Sequence, residues 1–576
     1  MPSVQIPPSN AIQAFLVSSP KRAHSQKLHG SRLFSRPSFW LGLMAICLSL
    51  SLIKLILTWR PLADDLPPCG PEISLSHLAR SFSSANHGSN SKLISTDFAG
   101  NGKSIDSAIS ADTAPNDEHP SGRTGFVAPF PLHALEKNMS ESERQFWRQP
   151  DSQGFKPCLS FTTSYREEFR KISQDKRKYL IVIVSGGLNQ QRNQIVDAVV
   201  IARILGATLV VPILQINQIW QDDSEFSDIF DVDHFKKSLK DDVLVVSSLP
   251  STHVMTRPVQ ERSTPLYATP QWFRRHYLKR LNREGVLLLR GMDGRLSKDL
   301  PQDLQKLKCK VAFQALRFTS PIMELGNKLA RRMWEGGPYV ALHLRLEKDV
   351  WVRTGCLPGL GAGFDDEVRH ARIDNPQLLT GRSNMTYTER KLAGLCPLNA
   401  AEVARLLKGL GAPRSTRIFW AGGKPLGGDL ALKPLINEFG HLYNKEKLAL
   451  PGELEPFANK ASSLAAIDYA ISLHSDVFMP SHGGNMAKSL QGHRAYAGYR
   501  KHITPNKREM LPYFFDMSSF PEADIDMIIK QLHNDSLGQP VFRTEKRGRD
   551  VLAYPAPDCM CNGSAVTHHN PSTASL

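Results

Sequence analysis

Residues 179–212 limit the choice of fold most strongly, because they read as strand, glycine turn, helix and strand. Residues 179–185 (YLIVIVS) are aliphatic and β-branched without alternation, which is typical of a strand covered on both faces. Residues 193–205 (NQIVDAVVIARIL) have apolar side chains at helical spacing, and Gly206 provides a stop. Residues 208–212 (TLVVP) form a second apolar run. Two strands joined by a helix form a βαβ unit, so the sequence predicts an α/β fold with a parallel sheet.

Further apolar runs of the same kind follow along the chain. They are residues 243–247 (VLVVS), 286–290 (VLLLR), 339–344 (YVALHL) and 417–421 (RIFWA). Strands that alternate with helices over this length suit two Rossmann-like domains better than one. We place the N-terminal domain at residues 151–335 and the C-terminal domain at residues 336–540. Residues 541–576 lose this periodicity and are expected to form a C-terminal tail.

A long apolar stretch, residues 39–59 (FWLGLMAICLSLSLIKLILTW), precedes the predicted domains and carries one charge, Lys54. A helix rises about 1.5 Å per residue, so this stretch matches the hydrocarbon thickness of a bilayer. Basic residues are concentrated before it, which places residues 1–38 in the cytosol and the rest of the chain in a lumen. We expect a single-pass type II signal-anchor helix and, at residues 60–150, a flexible stalk rich in Ser, Asn, Gly and Asp. A cleaved signal peptide is the alternative.

A lumenal chain can form disulfides and carry N-glycans. Cys47 lies within the anchor, which leaves seven of the 8 cysteines, so at least one has to stay free or pair between chains. Sequons for N-glycosylation occur at Asn138, Asn384, Asn534 and Asn562. The formal net charge of +16 suits an anionic partner such as a nucleotide-linked substrate. Nucleic acid is not expected as a partner, because the chain is anchored and lacks a basic patch with interleaved aromatic residues.

Three polar turns follow predicted strands, and ligands of open α/β sheets bind beyond the carboxyl ends of strands. The first turn begins with Gly186 and Gly187, where the backbone can approach a ligand closely and the next helix offers unpaired N–H groups. Asn189 and Arg192 add a polar group and a fixed charge. A tight strand–helix turn explains the same glycines. Neither a Walker A loop nor a G-x-G-x-x-G motif is present, which weighs against an ATPase or a nicotinamide dehydrogenase.

The second turn is residues 343–349 (HLRLEKD), at the end of a predicted strand. In an extended segment the side chains of His343, Arg345 and Glu347 point the same way. An arginine fork beside an imidazole suits a diphosphate leaving group. A solvated ion pair at an exposed strand end is the alternative.

The third turn lies within residues 475–487 (SDVFMPSHGGNMA) and repeats the order of strand, turn and helix. Asp476 could accept hydrogen bonds from a base or ribose. Ser481 and Asn485 could donate to phosphate, and His482 lies between them. A helix N-cap without a ligand is the alternative.

These turns, with further blocks, resemble the plant protein O-fucosyltransferase-like glycosyltransferases. The resemblance runs through most of residues 178–510, in the blocks GGLNQQRNQIVDAVVIARILGATLVVP, DIFDVDHF, LRF, HLRLEKD, AGG with GG, SDVFMP, GNMAKSL and GHRAYAGYRK. It implies a GT-B fold, a GDP-fucose donor between two Rossmann-like domains and a type II Golgi membrane protein. It also implies that His343, Leu344 and Arg345 form an H-x-R motif in which Arg345 holds the diphosphate, while the GGLNQQR turn lines the donor cleft from the other domain.

The implied reaction is an inverting, metal-independent transfer of fucose from GDP-fucose to a hydroxyl of a protein or cell-wall glycan. Arg345 and the helix N-terminus after the first glycine turn would stabilise the departing diphosphate. Glu347 or Asp349 could accept the proton of the acceptor hydroxyl. The D-x-D triplets at residues 231–233 and 524–526 could suggest a metal, but such triplets are common by chance and the first lies inside a family block.

Three residues depart from the pattern of the resembled family, and they keep two other functions open. They are Lys424, His474 and His482. The chain could use another nucleotide sugar, for example to transfer rhamnose to pectin. It could also be a non-catalytic scaffold in cell-wall polysaccharide synthesis or cell adhesion, for which Lys424 and His482 are the motivating residues.

Overall fold

A computed structural model describes residues 129–562, apart from residues 176, 218, 262–263, 379–383, 516–519 and 544–548. The predicted cytosolic tail, the anchor at residues 39–59 and most of the predicted stalk lie outside the described residues. Within the described part of the chain, no helix is both long enough and apolar enough to cross a membrane.

The strands form two parallel sheets and one small antiparallel pair. In chain order they are β1 (Phe155–Pro157), β2 (Tyr179–Val184), β3 (Thr208–Val210), β4 (Ile213–Leu214), β5 (Val245–Val246), β6 (Val259–Glu261), β7 (Val286–Arg290), β8 (Tyr339–His343), β9 (Arg417–Ala421), β10 (His441–Tyr443), β11 (Val477–Pro480) and β12 (Met560–Asn562).

Helices occupy most of the connections between these strands. The α-helices are Glu141–Trp147, Thr163–Gln174, Leu188–Leu205, Phe226–Ile229, Val232–Leu239, Ser251–Val254, Pro270–Phe273, Lys279–Glu284, Gln302–Lys310, Ser320–Glu335, Lys348–Thr354, Ala362–Asp374, Tyr387–Leu392, Ala400–Gly409, Asp429–Phe439, Lys445–Leu448, Ala461–His474, Asn485–Tyr496, Lys507–Phe515 and Glu522–His533. Two π-helical segments, Arg274–Leu278 and Val311–Ala315, and two 3-10 turns, Pro376–Leu378 and Glu455–Phe457, complete them.

The first sheet has the strand order β5-β3-β2-β7-β6, and β4 also pairs with β2. All of its pairs are parallel. The predicted βαβ unit is present as β2, helix Leu188–Leu205 and β3. The helix ends as predicted, because Gly206 adopts the left-handed conformation at its C-cap. Pro212 separates β3 from β4, which is expected of a residue without a backbone N–H.

The second sheet has the order β10-β9-β8-β11, and its pairs are also parallel. Every side chain of β8 is buried, which explains why its sequence shows no alternation. The two sheets confirm the predicted α/β class. The edge strands β6 and β10 were not predicted, because three-residue strands with exposed positions leave no apolar run in the sequence.

Residues 129–149 differ from the prediction of a flexible stalk, because they pack against the second sheet. Phe146 and Trp147 are buried. The backbone N–H of Lys501 donates to Gln149 Oε1 at 2.9 Å. Two large aromatic side chains on a short capped helix are sufficient to hold this segment against the sheet, although the surrounding composition is polar.

The predicted C-terminal tail also contains an ordered part. Residues 549–562 bury Val551 and Leu552, and β12 pairs antiparallel with β1. Disulfides Cys158–Cys561 and Cys309–Cys559 tie this segment to the predicted N-terminal domain, and Cys356–Cys396 closes a loop in the predicted C-terminal domain. Disulfides hold this segment in place of regularly spaced apolar side chains. The hydrophobic pattern of the sequence therefore did not predict that the segment is ordered. Of the seven predicted lumenal cysteines, Cys69 lies outside the described residues.

Candidate functional site

The turns after β2 and β11 meet between the two sheets. Helix Leu188–Leu205 follows the first turn and helix Asn485–Tyr496 follows the second, and these helices pack against each other. Asn193 Nδ2 donates to Asn485 Oδ1 at 3.3 Å. The carboxyl ends of strands from both sheets therefore face one region.

Both helices begin at a glycine that provides no capping side chain. Gly187 is the N-cap of the first helix and Gly484 is the N-cap of the second. Helices usually satisfy their first N–H groups with Ser, Thr, Asp or Asn at this position. The N-terminus of a helix carries a positive partial charge from the helix dipole. Its uncapped N–H groups are therefore suited to binding an anion.

The turn after β8 holds Arg345 beside the turn that precedes the second of these helices. Its backbone N–H donates to the buried Ser481 Oγ at 3.0 Å, which joins the turn after β8 to the turn after β11. Its Nε lies 3.3 Å from Glu347 Oε2. The side chain is 32% exposed. Its two Nη groups have no hydrogen-bond partner among the described residues, so the fork can bind a ligand.

Glu347 connects Arg345 to a glycine turn after β9. Glu347 Oε1 accepts the backbone N–H of Gly423 at 2.9 Å. At the neighbouring Gly422, φ is 147° and an added Cβ would lie 2.5 Å from the carbonyl oxygen of Leu344. Only glycine allows the two turns to approach so closely.

A buried ion pair supports this glycine turn. Asp468 Oδ2 accepts the backbone N–H of Gly422 at 3.2 Å and lies 3.1 Å from Lys445 Nζ. Burial raises the pKa of Asp468 to about 6, against the lowering effect of Lys445. The sequence reasoning missed Gly422, Gly423, Lys445 and Asp468 as supporting residues. The AGG block was visible, but no pattern connects a lysine and an aspartate 23 residues apart.

His343 and His482 are the histidines next to Arg345. Burial, with smaller effects of Arg345 and His482, lowers the pKa of His343 to about 3. Burial and the charge of Lys507 lower the pKa of His482 to about 4, and Lys507 Nζ lies 3.4 Å from His482 Nδ1. Both imidazoles are therefore neutral near pH 7.

Gly186 lies in the turn after β2, whereas Asn189 and Arg192 lie in the first turns of the helix Leu188–Leu205 that follows it. Gly186 is left-handed, with φ of 92°. Asn189 and Arg192 are buried, and Arg192 Nη1 donates to Asn189 Oδ1 at 3.3 Å. The Arg192 guanidinium lies 4.5 Å from the centre of the Tyr469 ring. Their polar groups thus contact protein, and the structure does not bring them together with Arg345.

Asp476 and His474 lie at the opposite end of the second sheet. Asp476 Oδ2 accepts the backbone N–H of Tyr339 at 3.0 Å, and Asp476 Oδ1 lies 3.0 Å from His133 Nδ1. His474 Nδ1 accepts the backbone N–H of Phe130 at 3.0 Å. The departure at His474 therefore falls where the N-terminal segment packs, away from Arg345.

Carboxylates of the D-x-D triplets take part in contacts within the fold. Asp231 caps helix Val232–Leu239 and pairs with Arg317 at 2.8 Å. Asp526 pairs with Arg405 at 2.5 Å. In the part of the chain described by the structure, no group of three or more His, Cys, Asp or Glu side chains is arranged to hold a metal ion.

The predicted glycosylation sequons differ in their exposure. Asn138, Asn384 and Asn534 are exposed. Asn562 is half-buried in β12, and its Nδ2 donates to the carbonyl oxygen of Gln153 at 2.8 Å. The first three are therefore the more accessible candidates.

Known proteins with similar sequences cover most of the described fold. The family described as "GDP-fucose protein O-fucosyltransferase" matches residues 179–497. O-fucosyltransferase 20 of Arabidopsis thaliana is 68% identical over 421 residues, which are 73% of this chain and 73% of the relative. O-fucosyltransferase 20 of Brassica napus is 65% identical over 421 residues, or 73% of this chain and 76% of the relative. The crystal structure of POFUT1 in complex with GDP-fucose is 17% identical, covers 58% of this chain and 98% of its own, and has a TM-score of 0.37. The extent of the family match and the identity to the plant relatives show that the chain belongs to the GDP-fucose protein O-fucosyltransferase family.

Proposed function

We propose that the chain transfers fucose from GDP-fucose to an acceptor hydroxyl, with inversion and without a metal. Membership of the family makes the chain a glycosyltransferase of the O-fucosyltransferase type. The observation that carries the proposed site is the pair of unengaged Arg345 Nη groups beside the turn after β11, which leads into an uncapped helix end. A guanidinium fork and backbone N–H groups together match the oxygens of a diphosphate.

In the proposed reaction the bond between fucose C1 and the β-phosphate oxygen breaks, and its electron pair leaves with GDP. The acceptor oxygen forms the new bond to C1 and gives its proton to a base. Negative charge grows on the diphosphate as the bond breaks, and Arg345 with the helix N–H groups stabilises that charge. Because Ser481 and Glu347 fix Arg345 before the donor binds, little reorganisation is needed.

Glu347 and Asp349 are the proposed bases, and their surroundings differ. Both carboxylate oxygens of Glu347 have partners, Gly423 and Arg345. Asp349 is 31% exposed and its Oδ2 lies 3.8 Å from Arg353 Nε. The less engaged carboxylate of Asp349 makes it the better candidate to accept a proton from an incoming hydroxyl.

We propose a Golgi membrane location, with residues after the predicted anchor in the lumen. Three disulfides support an oxidising compartment. In intact microsomes, added protease should leave the part after residue 60 uncut. After the vesicles are opened with detergent, peptide N-glycosidase should reduce the mass of that part. Replacing Asn138, Asn384 and Asn534 with Gln should abolish the mass change. Cleavage of the folded part in sealed vesicles would contradict the proposed orientation.

The activity test is turnover of GDP-fucose by the purified full-length chain, with Arg345→Ala in parallel. We expect GDP release, which Arg345→Ala lowers by about 10²–10³-fold, the usual effect of removing one group that stabilises developing charge. EDTA should leave the rate unchanged. Turnover of a different nucleotide sugar instead of GDP-fucose would favour the alternative that the chain uses another donor. Donor binding without turnover would favour the scaffold alternative.

A further inference from the structure

A polar cavity with a volume of about 710 Å³ lies against the turn after β11. Ser481, His482 and Gly483 line it from that turn. The other lining residues come mainly from helices Tyr387–Leu392, Asn485–Tyr496 and Lys507–Phe515, and from the C-terminal segment near residue 550. Arg345 does not line it. The cavity therefore starts at the first turn of helix Asn485–Tyr496, beside the proposed donor site, and does not include Arg345.

The charge of this cavity is strongly positive. Lys488, Lys507, Arg508 and Arg549 line it from three separate segments of the chain, and the buried Arg390 is a fifth cation in its wall. Its only carboxylate among the described lining residues is Asp550, whose Oδ2 lies 3.2 Å from Lys308 Nζ. Lys308 therefore already compensates the one negative charge in the wall.

Neutral groups hold Lys507, Arg508 and Arg549. Arg508 Nε donates to the carbonyl oxygen of Ala393 at 3.0 Å, and Lys507 Nζ donates to that of Cys396 at 2.6 Å. Arg549 Nη1 donates to the carbonyl oxygen of Phe542 at 3.0 Å. No ion pair between described residues involves any of these three or Lys488. Carbonyl oxygens orient these side chains but leave their positive charge for a ligand.

We propose that this cavity binds an acidic segment of a protein acceptor, an inference that rests on the proposed transfer function. Cations on three segments suit several carboxylates in series better than a single phosphate. The matched family is described as acting on protein, which favours a peptide over an acidic glycan. Pro480, Ala487 and Pro505 provide apolar wall between the cations, against which the stems of glutamate side chains can pack. Lys507 contacts His482 in the turn after β11, so a ligand held here lies beside the donor.

The test compares binding of two peptides to the full-length chain by fluorescence anisotropy. One peptide carries threonine within a run of glutamates, and the other has glutamine in place of each glutamate. The variant is Lys488→Gln with Arg508→Gln and Arg549→Gln. The control, Lys237→Gln with Lys240→Gln and Arg275→Gln, removes the same charge from exposed positions around the first sheet. Binding of GDP is measured by calorimetry for every protein, because it reports the donor site alone.

We expect the glutamate peptide to bind the unmodified chain and the control equally, and to bind the cavity variant about tenfold more weakly. The glutamine peptide should bind none of them, and the affinity for GDP should be the same in all three. Equal loss in the control, absent binding of the glutamate peptide, or preferential binding of an oligogalacturonate would overturn the proposal. Absence of GDP binding by the unmodified chain contradicts the proposed function instead, whatever the peptides do.

Discussion

Gly422 adopts a backbone conformation that residues with side chains rarely take, and it faces the carbonyl oxygen of Leu344 at short distance. Replacing Gly422 with Ala should lower the free energy of unfolding by about 1–3 kcal/mol, since the new Cβ adds strain and a clash. Chemical denaturation of the full-length chain measures this change. Gly483→Ala is the matched control, because nothing lies within 4 Å of its added Cβ and its φ is not left-handed. An equal loss in both variants would contradict the explanation.

Single residues could be predicted where a local motif exposes them. Arg345 follows a strand and belongs to a recognisable turn, and the structure places it where strand ends meet. Asp468 and Lys445 could not be predicted, because their pairing depends on a helix from one part of the chain reaching a turn from another. Asp476 was predicted as a ligand-binding residue because it lies near a motif in the sequence. In the structure it precedes β11, at the end of the strand away from Arg345, and it contacts His133.

Elements were predictable in proportion to their apolar length. The central strands β2, β7, β8 and β9 follow from continuous apolar runs, and the structure confirms them as parallel strands. The hydrophobic pattern did not predict that the N-terminal and C-terminal segments of the fold are ordered. The N-terminal segment depends on a few aromatic contacts, and the C-terminal segment depends on disulfides whose pairing a single sequence does not contain.

The disulfides give a prediction about how the C-terminal segment is stabilised. Cys309–Cys559 spans 250 residues and Cys356–Cys396 spans 40. Replacing Cys309 and Cys559 with Ala should cost about 2–4 kcal/mol of unfolding free energy, because the longer loop loses more entropy on closure. Replacing Cys356 and Cys396 should cost less. Urea denaturation of the two double variants decides the order, and a larger loss for the shorter loop would contradict it.

The whole molecule contains several histidines that are buried in neutral form. Burial is the largest cause in each case, and it lowers the pKa to about 3 for His343, His474, His493 and His502 and to about 4 for His482. In the unfolded chain these groups have a pKa near 6.5. The unfolded state therefore binds more protons below this pH, and stability falls as the pH decreases.

We expect the free energy of unfolding to decrease as the pH falls from about 6.5 towards 4. Each of these histidines contributes a slope of roughly 1.4 kcal/mol per pH unit while only the unfolded state is protonated. Urea denaturation across this range measures the slope. His502→Gln should make it smaller by that amount, because one proton fewer is taken up. A stability that stays constant or rises on acidification would contradict the neutral state of the buried histidines.

The binding of GDP to the full-length chain, measured by calorimetry, tests the proposed donor site most directly. We expect binding that EDTA does not change and that Arg345→Ala weakens by about tenfold to a hundredfold, since charged hydrogen bonds contribute about 1.5–3 kcal/mol. Arg353→Ala is the matched control on the next helix, and it should bind GDP as the unmodified chain does. GDP affinity that is unchanged in Arg345→Ala would contradict the assignment of the diphosphate to the carboxyl end of β8.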